Sequence, residues 1–412
     1  MPTPDQRVHF ITDFARRLHL AGVSAARLEG AVKSTAQAIG VACEIWSSPT
    51  GLLLSLADAA DPNANQQTRV LRLEPADPDL SDLVALDAIA EDVVAGRLSV
   101  VEASARFREL DRKPSRAEQG RTVLAFGLAS AGVAGLLRTG WLDIAVAGAL
   151  GLLMGLIAVA ARTRPHLSAA SEAIAAMVAT VLATAFAHFV APLSVQTDVI
   201  AALIVFMPGL SLTTAVAELA SKQLVTGTTR FAGAMVVLLK LIFGSVAATQ
   251  FASALGWTPQ ASPAGSLPAA VEVVATIVAA YSFAILFRAA RRDVPLVMAS
   301  AMAGYVLTRV SGSWFDAPSG VTIAGGVFFS SLLMAAVANL YGRVAGRPGT
   351  LVRLPAIMLL VPGSVGFRGL SSLMERNYAL GAETGVAVLS ALVALMAGLL
   401  FGSVLVPPRR HL

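Results

Sequence analysis

The residues best suited to chemistry cluster around two proline-glycine steps. Pro208-Gly209 is followed at once by Ser211, Thr213 and Thr214, and Glu218 stands ten residues beyond the proline. Pro362-Gly363-Ser364 is a second, shorter version of the same arrangement. Proline removes a helix donor and clashes with the preceding turn, and an adjacent glycine lets the backbone leave helical geometry. Freed backbone groups and short hydroxyls can grip a carboxylate or a hydroxyl without any covalent step. A second set is ionisable: Glu172, Asp198, Glu218, Glu272 and Lys240 all fall within or beside strongly apolar stretches. Charged groups in such settings are rare and usually functional, because each needs a partner, a polar cavity or a proton. Together the two sets suit binding a small polar solute and moving protons. Each also has an ordinary explanation: Pro-Gly as a packing kink, hydroxyls as helix-packing contacts, Glu218 as a loop acid.

Other chemistries have less support. There is no Ser-His-Asp pattern, no metal-ligand spacing and no GxxxxGK[ST] nucleotide loop, and no ring of charge or repeated filter of the kind a pore requires. The chain reads as a non-enzyme with no metal and no cofactor. The single Cys43 rules out an internal disulfide framework and a cysteine metal cluster, and is expected to be a buried apolar thiol.

These residues need elements to hold them. Of 412 residues, 56% are hydrophobic and 14% charged, with mean hydropathy +0.70, against roughly 25% charged in soluble chains. The net charge is −4 over residues 1–120 and +9 over 121–412. The bases sit between apolar runs rather than on one face, so nucleic acid is not an expected partner. A spanning helix needs about 20 apolar residues. Ten spans are expected near 122–138, 142–161, 169–190, 198–217, 231–255, 268–287, 294–311, 320–341, 351–372 and 384–406. With a cytoplasmic N-terminus, the loop bases divide thirteen inside to four outside, as the positive-inside bias requires. Both termini are then cytoplasmic, in a multi-pass protein of the cell membrane. Trp141, Trp257 and Trp314 fall at outer span ends, where an aromatic belt would place them.

Residues 1–110 form the other part. MPTPDQRVHFITDFARRLHL is polar and opens a folded unit rather than a signal sequence. Two helices over 5–40, broken at Ala21-Gly22, are expected to precede strands at VACEIW, GLLLSLA and TRVLRLE, with Ser47-Ser48-Pro49-Thr50 turning between the first two. Two amphipathic helices follow. The expectation is a small cytoplasmic α+β domain with a docking, gating or assembly role, joined by a basic linker at 111–121 to membrane segments at 122–255 and 268–406.

The membrane half echoes itself. MPGLSLTTAVAELASKQLVTGTTR runs into a span containing LIFGSV (241–246), and VPGSVGFRGLSSLMERNYALGAETG runs into one containing LLFGSV (399–404). Advancing five spans inverts the second copy, so a five-plus-five inverted repeat is expected, an arrangement typical of secondary transporters. The expected partners are a small-molecule solute, protons and the lipid bilayer, with a homo-oligomer left open. Lys240, near the centre of its span, is expected to need Glu218 or Glu272 as a partner.

Several of these stretches resemble the threonine/serine exporter family. LHLAGVSAARLEGAVKSTAQAIG followed by SSPTGLLLSL, including Glu29, is similar to the family's N-terminal signature. PGLSLTTAVAELASKQLVTGTTR is similar to its most recognisable motif, with Pro208, Gly209, Glu218, Thr226, Gly227 and Arg230 in place. LLVPGS resembles its second Pro-Gly element. The resemblance covers most of the chain, but Thr214 and Glu218 stand where the family often has Asn and Asp. It implies export of small hydroxy amino acids driven by the proton motive force. Split, two-subunit relatives associated with succinate keep dicarboxylates open as an alternative.

Overall fold

The computed structural model describes residues 3–59, 66–112, 114–262, 267–314, 319–359, 363–374 and 378–408. Pro362 lies outside the described residues, as does the side chain of Ser364.

The N-terminal unit opens with α1 (Pro4–Leu20), started by a reciprocal Thr3–Gln6 capping box. Gly22, at φ +71°, turns the chain into α2 (Ala25–Ala38). Three antiparallel strands follow in spatial order β1 (Val41–Ser48), β2 (Gly51–Asp58), β3 (Gln67–Arg72). Ser48 pairs with Gly51, so Pro49-Thr50 alone makes the turn, and Ser47 and Ser48 belong to β1. α3 (Leu80–Val94) and α4 (Val100–Glu109) complete the unit. Phe10, Phe14 and Phe107 stack with centroids 5.2–6.2 Å apart, against Leu54 and Leu56 from alternate positions of β2. Cys43 is half-buried against this core, and burial pushes its thiol up to about 11.

Beyond it come α5 (Arg116–Leu136), α6 (Trp141–Ala161), α7 (Pro165–Phe189), α8 (Val195–Leu203), α9 (Gly209–Ala220) and α10 (Leu224–Ala254). α11 (Ala269–Leu286), α12 (Val294–Gly312), α13 (Ser319–Ala345), α14 (Thr350–Met358), α15 (Gly363–Met374) and α16 (Tyr378–Leu405) follow. Seven of these, α6, α7, α10, α11, α12, α13 and α16, are long and apolar enough to cross a membrane. The other three expected spans differ from that pattern. α5 begins at a Ser115–Glu118 capping box and carries charge in its first turns. The remaining two are each divided into short halves, α8 with α9 and α14 with α15. Large apolar side chains such as Phe243, Leu389 and Phe401 face outward, as expected where the surrounding solvent is hydrocarbon.

Two helix pairs are built alike. α7 and α10 run parallel, from Lys240 Nζ on the Ala169 carbonyl at one end to the Thr258 amide on His188 at the other. α13 and α16 also run parallel, from Gly398 beside Phe328 to Asn339 donating to the Val406 carbonyl at 2.8 Å. Each pair closes at the glycine of the repeated Phe-Gly-Ser-Val patch: a Cβ on Gly244 would overlap the Ala173 carbonyl, and one on Gly402 the Leu332 carbonyl. α5 and α11 meet antiparallel through Gly132 and Gly135 against Ala279 and Ala275. Small residues of this kind let backbones approach where no hydrophobic effect drives helices together. Gly244→Leu and Gly402→Leu should each destabilise the helix bundle by at least the ~1–3 kcal/mol typical of overpacking. Thermal unfolding in detergent should show this, while Gly233→Leu, at an open position, leaves the midpoint unchanged.

Candidate functional site

The two helix breaks meet. Pro208 (φ −79°, ψ 41°) ends the irregular stretch after α8, and α9 starts at Gly209. α15 starts at Gly363, and a Cβ built there would lie 3.4 Å from both the Gly209 Cα and the Met207 Cβ. The N-termini of α9 and α15 therefore abut. Sequence pairing of the two Pro-Gly steps thus corresponds to a physical contact at Gly209 and Gly363.

On one side of this contact lies a cavity of about 300 Å³. α9 lines it with Thr213, Thr214 and Glu218, and α14 with Thr350 and Arg353. Ser403 lines it from α16, and the N-terminal unit closes it with Arg27, Asp79 and Leu83. Ser211 is not among its lining residues. Thr213 is 2% exposed, and its hydroxyl has no partner among the described residues.

Glu218 is buried, and three groups hold it: Arg230 Nε donates at 3.1 Å, Arg230 Nη2 at 3.4 Å and the Ala25 amide at 3.3 Å. An acid at the N-terminus of α2 also meets the positive end of that helix. The expected Glu218–Lys240 pair does not form. Lys240 donates to the Ala169 carbonyl at 2.8 Å and pairs with Glu172 at 3.5 Å. The reason is helix register: α10 starts well before α7, so Lys240 is level with the first turns of α7 rather than with the bundle's middle. Glu272 does not reach Lys240 either. It accepts from Arg138 at 2.8 Å, Tyr305 at 2.9 Å and Arg309.

Asp198 is fully buried in α8, and neither carboxyl oxygen has a hydrogen-bond donor among the described residues. Asp143 lies beside it. Asp143 is itself 1% exposed, accepting from the amides of Ser194 at 2.7 Å and Gly140 at 2.8 Å.

The remaining motif residues build the joint between the two units. Glu29 accepts from the Ser47 amide at 2.8 Å and from Gln223 Nε2 at 3.3 Å. Thr226 donates to the Ser47 carbonyl at 2.9 Å. Gly227 lets α10 close on α9, since a Cβ there would stand 2.9 Å from the Ala215 carbonyl oxygen. Elsewhere the Leu80 amide donates to the Phe287 carbonyl at 2.9 Å, and Leu80, Leu83 and Val84 share one apolar cluster with Phe283, Phe287 and Leu351.

Two threonine/serine exporter family models match this chain, the first over residues 9–252 and the second, described as "Threonine/Serine exporter, ThrE", over residues 272–405. The chain belongs to the threonine/serine exporter family. It is a multi-pass membrane protein, and the family is one of transporters. The first match ends within the last turn of α10 and the second begins within the first turn of α11. The chain is also similar to Pheromone-regulated membrane protein 10 of Pichia sorbitophila, 26% identical over 87% of this chain and 36% of the relative. The same-named protein of Candida albicans is 28% identical over 87% of this chain and 33% of its own. The chain thus spans about a third of the length of these curated relatives. No solved structure matches it.

Sequence reasoning missed Arg27, Arg353 and Asp143. Arg27 lies inside the N-terminal signature, yet the partner of its Nη1, Thr350, is 323 residues away. No local spacing could have joined them. For the joint, Arg230→Ala leaves Glu218 buried without its counter-ion, a loss that typically costs about 3–5 kcal/mol. Hydrogen exchange at the Ala25–Leu28 amides should rise sharply in this variant while the α13–α16 pair stays protected.

Proposed function

We propose that this protein is a secondary exporter of small hydroxy amino acids, driven by the proton motive force. It sits in the cell membrane as ten spans in two inverted sets of five, with both termini and the N-terminal unit cytoplasmic. The observation that carries this reading is the contact of the two interrupted helices at Gly209 and Gly363, beside a cavity lined by Thr213 and Thr214. Paired breaks in corresponding spans, burying unwound backbone against each other, are how secondary transporters build solute sites near the membrane midplane. Support for the repeat comes from the matched α7–α10 and α13–α16 pairs, each closing on the glycine of a Phe-Gly-Ser-Val patch, and from the antiparallel α5–α11 contact. α9 and α14 each count as part of a broken span in this reading. Among the described residues, the polar contacts of the N-terminal unit fall near 218–230, 287–288 and 350–354, at helix ends that the loop charges assign to the inside. Short dicarboxylates are the second reading, favoured by the two arginines on the cavity wall.

Solute export against a gradient then proceeds by rocking one set against the other about the Gly209–Gly363 contact, exposing the cavity to each side in turn. Glu218 is poorly suited to carrying the proton, because Arg230 and the Ala25 amide already satisfy its charge. Asp198 suits the role better. Ionised, it would bear a charge that no described donor meets, and carrying a proton removes that charge. Asp143 beside it adds repulsion to the ionised state.

In proteoliposomes, labelled threonine and serine should exchange in counterflow at rates above that of succinate. Asp198→Asn should abolish gradient-driven accumulation while exchange at equal concentrations persists, and Glu218→Gln should leave accumulation coupled. Coupled accumulation by Asp198→Asn at the parent rate would move the proton elsewhere. Gly209→Leu and Gly363→Leu should both lose exchange without loss of membrane insertion. Reporter fusions after Pro259 should read outside and those after Arg292 inside; an inside signal after Pro259 would end the ten-span reading.

A further inference from the structure

The cavity between the N-terminal unit and the helices α9, α14 and α16 carries an imbalance of charge. Two acids stand on its wall and both are engaged. Glu218 is held by Arg230 and the Ala25 amide. Asp79 accepts from Arg288 Nη1 at 2.9 Å and from the Asp82 amide at 3.0 Å. Two arginines stand on the same wall, and among the described residues no carboxylate pairs with either. Arg27 Nη1 donates to Thr350 Oγ1 at 2.8 Å. Burial first, and then the facing charge of Arg353, hold Arg27 well below the ordinary guanidinium range. Thr213, buried with its hydroxyl unpartnered, lines the same cavity.

A partly buried cation facing a like charge across a small cavity is unfavourable until an anion arrives. Guanidinium forks match the two oxygens of a carboxylate. At about 300 Å³ the space is at the small end of the range for small-molecule sites. We propose that Arg27 and Arg353 form a carboxylate-binding site, so that the N-terminal unit supplies half of the solute site. The inference rests on the transport reading and deepens it. The carboxylate of an amino acid and one end of a dicarboxylate carry the same group. Because Arg27 belongs to the N-terminal unit and Arg353 to α14, an anion between them holds the two units together, and its departure restores their repulsion. Docking of the N-terminal unit and occupancy of the cavity are thereby coupled.

Isothermal titration of the purified full chain in detergent tests this with three probes: L-threonine, succinate and L-threoninamide, which keeps the hydroxyl and ammonium but lacks the carboxylate. At least one carboxylate probe should bind saturably, with threoninamide at least tenfold weaker. Arg27→Gln and Arg353→Gln should each weaken the bound probe at least tenfold, with Arg27→Lys recovering part of the loss. Arg27→Gln also removes the bond to Thr350, so Arg353→Gln, which breaks no hydrogen bond or ion pair among the described residues, keeps the test independent of that bond. Tighter binding of succinate assigns the site to dicarboxylates, and tighter binding of L-threonine assigns it to amino acids. An unchanged Kd in Arg353→Gln, or no saturable binding of either carboxylate probe to the parent chain, overturns the proposal. Titration needs no gradient, so a failure of proteoliposome flux alone would overturn the transport reading and leave this site standing.

Discussion

A helix broken at membrane depth exposes backbone amides and carbonyls that hydrocarbon cannot satisfy. The architecture of this chain follows from how that constraint is met. The starts of α9 and α15 meet each other at Gly209 and Gly363. Gly363 brings the start of α15 to within van der Waals reach of the Gly209 backbone, where a Cβ would already touch the Gly209 Cα and the Met207 Cβ. Once these two points are joined, α9 and α15 are set, and the helices that flank them must close around the pair.

That closure uses a second recurring device. Gly244 and Gly402 each remove a side chain where a neighbouring helix presents a carbonyl, so α10 lies flush on α7 and α16 on α13. Van der Waals contact over a close helix pair is the main cohesive term available when the solvent is as apolar as the side chains. The same arrangement at both ends of the chain leaves α9 and α14 facing a shared cavity rather than each other's flanks.

Charge then governs the boundary between the bundle and the N-terminal unit. Glu218, buried at the end of α9, is met by Arg230 from α10 and by the first amide of α2. Asp79 and Leu80 meet the end of α11 through Arg288 and the Phe287 carbonyl. In both cases a helix end that would otherwise leave unsatisfied groups is completed by the other unit. The unit is therefore part of the wall of the cavity, and its stability on the bundle depends on charges buried at the joint.

Much of this was legible in the residue order. Apolar runs, their basic flanks and the Pro-Gly steps are local properties, so the positions of the helices and of their interruptions could be read from composition alone. The strands of the N-terminal unit, at VACEIW, GLLLSLA and TRVLRLE, were legible for the same reason. The motif residues Glu29, Thr226, Gly227 and Arg230 were visible as a group, though not as a joint. Which charges meet was not legible. Lys240 pairs with Glu172 rather than Glu218 because of the offset between two parallel helices. Asp143 lies beside Asp198, and Arg27 faces Arg353, through folding of segments far apart in the chain. Hydrophobicity is carried by each residue by itself, so sequence determines which segments leave water. Electrostatic pairing depends on distances of a few ångströms between elements, and only the tertiary structure decides those.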